Sequence, residues 1–315
     1  MIYVVYGKQE DSVPAAAVAY WALRIVNEPI TVVSHPMNQV LNIEYGSGDT
    51  FYFIGYGFIP STKEFLVKLL EDGVKVIWLD NHRSSFEVHG EIMNSNYPKK
   101  TMNSEINITK STIELIWDYF YPNEQHPLAV SLIDDWERYN MNNNVVRYFH
   151  TALVVQDQYL CPDSDLWREL LTNDEKVNEI VNIGKYIAIH QKRNEIRNLK
   201  HISIYELENG LKAAVLNSIG DRYVFDVAYK LFDACILYHF DGIEWYYQVF
   251  SRHKNLAGNY ALIHGGNKNF RSWTSGFKKN NDDHAIYWDY LNSHRIGYLY
   301  DHPTYQQFID SLDAE

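Results

Sequence analysis

Apolar residues fall in short unbroken runs through residues 1–90, separated by longer stretches whose apolar positions recur with helical spacing. Ile2-Tyr3-Val4-Val5-Tyr6 is the first run, and the polar Gly7-Lys8-Gln9-Glu10-Asp11-Ser12 follows it into an alanine-rich stretch from Pro14. Runs this short, bounded by polar turns, predict buried strands, and the periodic stretches predict helices. The pattern therefore predicts strand 2–6, helix 14–27, strands 30–33 and 51–55, helix 61–72 and strand 74–79. Asp72-Gly73 marks a helix stop, because glycine takes the left-handed conformation in which helices commonly end. Such strand–helix alternation implies a parallel sheet with helices on its faces. Residues 90–108 are polar, contain Pro98 and predict a loop.

Helical spacing dominates from Ser111 to about Lys200, and Ser111-Thr112-Ile113-Glu114 has the order of a capping box. Asp174–Asn198 is charged and free of proline, as a helix joining two domains would be. From Ile202 the pattern changes to short strands at 202–205, 211–216, 234–239 and 244–250, with a helix near 224–232. The expected organisation is an α/β domain over 1–173, a helical connector over 174–201 and a smaller mixed-sheet domain over 202–315.

Composition narrows the partners. At 315 residues with 46% hydrophobic and 15% aromatic content, the chain can bury more than one core. A net charge of −12 argues against a long nucleic-acid duplex, which needs a broad basic face, and leaves a nucleotide or short oligonucleotide as ligand. No apolar run approaches the roughly 20 residues of a membrane span, and Lys8, Glu10 and Asp11 interrupt any signal-peptide plan. Only Cys161 and Cys235 are present, which fits a cytoplasmic protein without disulfides. Heavy use of Tyr and Asn suggests an AT-rich coding genome such as that of a phage. The histidines show no zinc-binding spacing, and Walker, GxSxG and GxGxxG motifs are absent from the sequence.

Polar groups gather where strands should end: Gly7–Ser12 after the first, Asp80-Asn81-His82-Arg83-Ser84 after Val74–Leu79. Further on come Ser111–Phe120, then Leu132-Ile133-Asp134-Asp135-Trp136-Glu137, Val249-Phe250-Ser251-Arg252, and His264-Gly265-Gly266-Asn267 with Thr274-Ser275-Gly276-Phe277. In this order the segments resemble the DHH/DHHA1 phosphoesterases, in particular the oligoribonuclease-like branch. The resemblance implies a parallel-sheet DHH-like domain, a connecting helix and a smaller mixed-sheet DHHA1-like domain, with ligand in the cleft between domains. It also implies two Mn²⁺ or Mg²⁺ ions about 3.5–4 Å apart, clamping the attacking and leaving oxygens. Their six ligands carry over to Gly7, Gln9, Asp11, Gly55, Asn81 and Asp135; in a variant loop Tyr6 takes the histidine position. Glycines lack a side chain and neutral amides bind dications far less strongly than carboxylate or imidazole, so only Asp11 and Asp135 remain for a single weak ion.

Each remaining position has a functional and a structural account. Asp80 either caps its loop or contacts ligand, and His82 is either structural or a ligand-contacting imidazole. Asp135 is a surviving ligand or part of an acidic helix face. Arg252 at a strand end suits phosphate or carboxylate. Gly265-Gly266 is a turn or an anion cradle, and Arg271 and Trp273 could supply a cation and a stacking face or be buried packing. The expectation is a catalytically inactive pseudo-phosphoesterase holding a nucleotide or a short or cyclic oligonucleotide. Gln9, Asp11, Asp80, Asn81, His82, Asp135, Arg252, His264, Gly265, Gly266, Asn267 and Arg271 would contact that ligand without a metal cofactor, and messenger sequestration in phage counter-defence is one setting. The alternatives are a divergent phosphodiesterase using Mn²⁺ or Mg²⁺, with relocated ligands such as Glu10, Asp49 or Asp134, and a protein-interaction module with a vestigial cleft.

Overall fold

The computed structural model describes residues 1–8, 12–98, 100–138, 140, 144–156, 159–199, 201–207, 210–218, 232–251, 256, 274–279, 281–293 and 295–298. The chain divides into two compact units, Met1–Ala188 and Ile189–Glu315. In chain order the first holds β1 (Ile2–Tyr6), α1 (Ser12–Leu23), β2 (Ile30–Ser34), β3 (Thr50–Ile54), α2 (Glu64–Glu71), β4 (Lys75–Asp80) and α3 (Arg83–Asn94). It continues with β5 (Met102–Ile106), α4 (Thr112–Phe120), α5 (Leu128–Glu137), α6 (Asn144–Leu153) and α7 (Asp165–Thr172). The long α8 (Asp174–Leu199) begins in this unit and runs past the division.

The five strands form one parallel sheet in the order β2-β1-β3-β4-β5. Side chains alternate across a strand, so a sheet covered on both faces needs apolar residues at every position. That is why β1, β3 and β4 show unbroken apolar runs. Val4, Tyr6, Ile54, Ile77 and Leu79 pack under α1, α4 and α5, whereas Tyr3, Val5, Phe51, Phe53, Val76 and Trp78 pack under α2 and α3. Ala15, Ala16, Ala17 and Ala19 of α1 are buried and small, which lets that helix lie close to both the sheet and α4.

Two sequence expectations shift. Residues 90–108 contain the end of α3 and the strand β5 rather than a loop; β5 is the sheet's last strand among the described residues, its side chains alternate between half-buried and exposed, and it lacks an apolar run. The helix expected at 14–27 runs from Ser12 to Leu23 and gives way to a 3-10 turn ending at Asn27, whose φ of 57° is left-handed. Pro14 sits in its first turn, where no backbone N–H partner is lost.

The second unit contains β6 (Ser203–Glu206), β7 (Lys212–Asn217), β8 (Ala234–Phe240), β9 (Trp245–Ser251), β10 (Thr274–Lys279), α9 (Asn281–Ser293) and β11 (Arg295–Tyr298). Its mixed sheet has the order β10-β9-β8-β7-β6-β11, with β7 and β8 parallel and the other pairs antiparallel. Tyr287 and Leu291 of α9 pack on Val215, Ile236, Tyr247 and Val249. Most of the helix expected near 224–232 lies outside the described residues. Among those residues no helix is long and apolar enough to cross a membrane.

Helix α8 meets α6 through a glycine: a β-carbon on Gly184 would overlap the carbonyl oxygen of Tyr148. In an unpacked helix Gly184→Ala would stabilise by about 1 kcal/mol. Here it is expected to destabilise by about 3 kcal/mol through overpacking, read as a lower urea midpoint.

Candidate functional site

Parallel pairing decides which loops meet. Tyr6 of β1 lies opposite Ile54 of β3, and Ile54 lies opposite Leu79 of β4. Gly7, Gly55 and Asp80 therefore leave the sheet side by side at its carboxyl edge, the position at which open α/β sheets hold ligands. The backbone N–H of Gly55 donates to Leu79 O at 2.9 Å, tying these ends together.

Asp80 is fully buried. Its carboxylate accepts hydrogen bonds from His82 Nδ1 at 2.7 Å, from the His82 backbone N–H at 3.3 Å and from the Ser85 hydroxyl. A carboxylate accepts only, so in the neutral ring this contact puts the proton on Nδ1 and the lone pair on Nε2. Asp80 thus takes the capping role at the β4–α3 turn and, in addition, orients an imidazole. Asn81, next along, donates from Nδ2 to Lys110 O at 3.1 Å and accepts at Oδ1 from the Thr112 hydroxyl at 3.2 Å.

Thr112 opens α4, and an acid from α5 fastens it there. The carboxylate of Glu137 accepts from Thr112 N at 2.6 Å and Ile113 N at 3.3 Å, satisfying amides that a helix start leaves unpaired. Ser111 Oγ accepts from Glu114 N at 3.2 Å, which is the serine half of a capping box; the Glu114 carboxylate pairs with Arg138 instead of reaching back. The residue matched to the late metal ligand, Asp135, accepts from Asn140 Nδ2 at 2.8 Å near the end of α5. Two helical positions separate Asp135 from Glu137, which places them on different faces. The acid that reaches the start of α4 is Glu137.

Around the three glycines the strand ends are crowded. A β-carbon on Gly7 would stand 3.2 Å from Ser12 Oγ and 3.5 Å from Met37 Cε, and one on Gly57 would stand 3.2 Å from Met37 Sδ and 3.3 Å from His82. Gly55 has a left-handed φ of 52°, and a β-carbon there would lie 2.7 Å from Thr112 Cγ2. The Ser12 hydroxyl donates to Gly55 O at 3.0 Å. Beyond β2, His35 Nδ1 is 2.9 Å from the Tyr56 hydroxyl, whose pKa burial pushes up to about 12. Burial, aided by Lys8, holds His35 below the ordinary histidine pKa. On the β4–β5 side of the sheet, a depression of about 440 Å³ is lined by Arg83, Phe86, Glu87 and Ile108, with Phe86 59% and Ile108 58% exposed.

These donors do not fit a pair of hard dications. Gly7 and Gly55 offer no ligand, the Asn81 amide is hydrogen-bonded at both ends, and both oxygens of Asp80 are engaged. Among the described residues no three His, Cys, Asp or Glu side chains converge on one point. Of the relocated candidates, Asp49 stands at the amino end of β3, bound to the terminal ammonium at 2.9 Å, and Asp134 is paired with Arg138 at 2.6 Å. Gln9, Glu10, Asp11, Arg252, His264, Gly265, Gly266, Asn267, Arg271 and Trp273 lie outside the described residues. Thr274-Ser275-Gly276-Phe277, matched to the end of a glycine-rich loop, runs in β10.

No protein-family model matches the chain, and no curated protein matches it. Solved structures do. The chain is similar to the DHH domain of a protein described as a member of a family of ribosomal proteins, with a TM-score of 0.58 at 9% identity over 93% of this chain and 85% of that one. An exopolyphosphatase-related protein from Bacteroides fragilis gives 0.50 at 10% identity, over 93% and 91%. The fold is that of the DHH/DHHA1 proteins. At these identities the likeness concerns architecture. Within the DHH-like unit, sequence reasoning missed Met37, Thr112, Glu137 and His35 as residues of the strand-end cluster. Only Glu137 gave a signal, as the last acid of Asp134-Asp135-Trp136-Glu137.

Two expectations follow from the buried polar groups. Asp80→Asn replaces an acceptor that serves His82 and Ser85, and should lower stability by about 2–3 kcal/mol in urea unfolding. His35 and His89, both held below the ordinary 6.5 by burial, stay neutral in the fold at pH values where the unfolded chain is already protonated. The unfolded state therefore binds more protons, and stability should fall as pH drops through 6.5 and below. His35→Gln/His89→Gln should flatten that slope in a pH series of thermal midpoints.

Proposed function

We propose that this chain is a pseudo-phosphoesterase that binds a nucleotide, or a short or cyclic oligonucleotide, and does not cleave it. The observation that carries this is Gly55. At the strand end where the resemblance calls for a carboxylate shared by two cations, the backbone is left-handed and Thr112 fills the adjoining space. Without a cation pair the edge lacks the usual source of a hydroxide nucleophile in this chemistry.

Support for ligand binding comes from the polar groups that remain. His82, oriented by Asp80, can hydrogen-bond a ligand hydroxyl or phosphate, and Phe86 with Ile108 offers an apolar face on which a base can lie. Gln9, Asp11, Asn81 and Asp135 belong to the same proposed ligand environment. Arg252, the 264–267 loop and Arg271 would grip phosphate. Neither Mn²⁺ nor Mg²⁺ is required in this reading. Sequestration of a signalling nucleotide would follow from binding without turnover, and phage counter-defence is a setting in which it would serve.

The test is a panel of mono-, di- and cyclic nucleotides, read by thermal shift and product chromatography, each with Mn²⁺ and with chelator. A binder should be stabilised by about 2.7 kcal/mol at a hundredfold excess over Kd. Phe86→Ala and His82→Ala should each reduce affinity about tenfold, near 1.4 kcal/mol. Hydrolysis dependent on Mn²⁺ would replace the proposal with a phosphodiesterase. Hydrolysis surviving chelator would point to the Asp80–His82 pair as a general base, and no shift across the panel would favour a protein-binding role.

A further inference from the structure

We infer that the carboxyl edge of β1, β3 and β4 is rebuilt as a closed, cation-excluding joint, and that Thr112 is the residue that decides the exclusion. The inference deepens the proposed function, on which it rests, by naming the side chains that keep divalent ions out. Loss of a ligand alone would leave space at the strand ends. Here, among the described residues, the first side-chain atom at Gly7, Gly55 or Gly57 would meet atoms from separate segments.

Met37, from the β2–β3 connection, spans the edge. Its methyl lies 3.5 Å from where a Gly7 β-carbon would be, and its sulfur accepts the Gly57 N–H at 2.8 Å. A thioether is a soft, weak donor and a poor partner for Mg²⁺ or Mn²⁺, which favour hard oxygen ligands. Ser12 enters from α1, with its hydroxyl committed to Gly55 O. Thr112 is held at its amide by Glu137, at its hydroxyl by Asn81, and turns its methyl toward Gly55. A carboxylate at position 55 would meet that methyl and a left-handed backbone together. Each opposes it separately, by overpacking and by steric strain in φ/ψ.

Thr112→Ser isolates the methyl, because the hydroxyl that bonds Asn81 is kept. Gly55→Asp in the otherwise unchanged chain should lower the thermal midpoint by roughly 5–10 °C. In the Thr112→Ser background about half of that loss should vanish, the remainder reflecting φ. Gly55→Ala, tested in both backgrounds, repeats the comparison if the aspartate variant fails to fold. Mn²⁺ is titrated into the unchanged protein, without nucleotide, by electron paramagnetic resonance of the unbound ion. No stoichiometric binding and no midpoint shift are expected.

Stoichiometric Mn²⁺ binding by the unchanged protein would overturn the inference. So would equal losses from Gly55→Asp, or from Gly55→Ala, with and without Thr112→Ser. Exclusion of Mn²⁺ by a protein that also binds no nucleotide would uphold the joint and remove the function it was meant to serve, so the two failures are distinguishable.

Discussion

A carboxylate cut off from water at the end of β4 imposes order on everything around it. Asp80 has no solvent to solvate it, and leaving such a group unsatisfied is unfavourable by several kcal/mol. Its bonds to the His82 ring and backbone and to Ser85 draw the chain into the β4–α3 turn and set the imidazole. The same turn delivers Asn81 to Lys110 O and Thr112, and Thr112 to the face of Gly55. The strand-end geometry follows from one buried acid and the partners it requires.

Most of the first sheet was legible in the sequence because its central strands are covered on both faces. β1, β3 and β4 have to be apolar at successive positions, and their runs stand out in the first 90 residues. β5 was hidden for the opposite reason: Met102-Asn103-Ser104-Glu105-Ile106 has one strand neighbour among the described residues, and its residues stay half-buried or exposed. The cluster divides along a similar line. Asp80, Asn81 and His82 could be read because they follow an unmistakable strand. Met37 and Thr112 carry no chemical signature of their own, Glu137 shows only as one acid among several, and the three reach the edge from distant segments, so packing reveals them. Motif spacing selects Asp135, and helical rotation turns Glu137, two positions on, to the start of α4.

The contacts at this edge differ in kind from metal ligation. A metal pair would draw strand ends together through charge. Here, beside the carboxylates of Asp80 and Glu137, neutral contacts join the segments: a hydroxyl on a carbonyl, an amide between a carbonyl and a hydroxyl, a sulfur on an N–H. Each is worth about 1 kcal/mol net. Hydrogen bonds of this kind are less sensitive to salt than charge pairs are, and they withstand chelation.

The left-handed turn at Gly55 also constrains ancestry. A single base change converts a glycine codon into one for aspartate or glutamate, so an acid at this position is always one mutation away. With the threonine methyl in place, that mutation meets a penalty in folding before any ligand is gained. On the proposed reading, an acid at 55 is tolerated best after relief at 112, so the order of the two changes matters. A chain with only the change at 112 gains no ligand, and the joint would act as a ratchet against the acid's arrival.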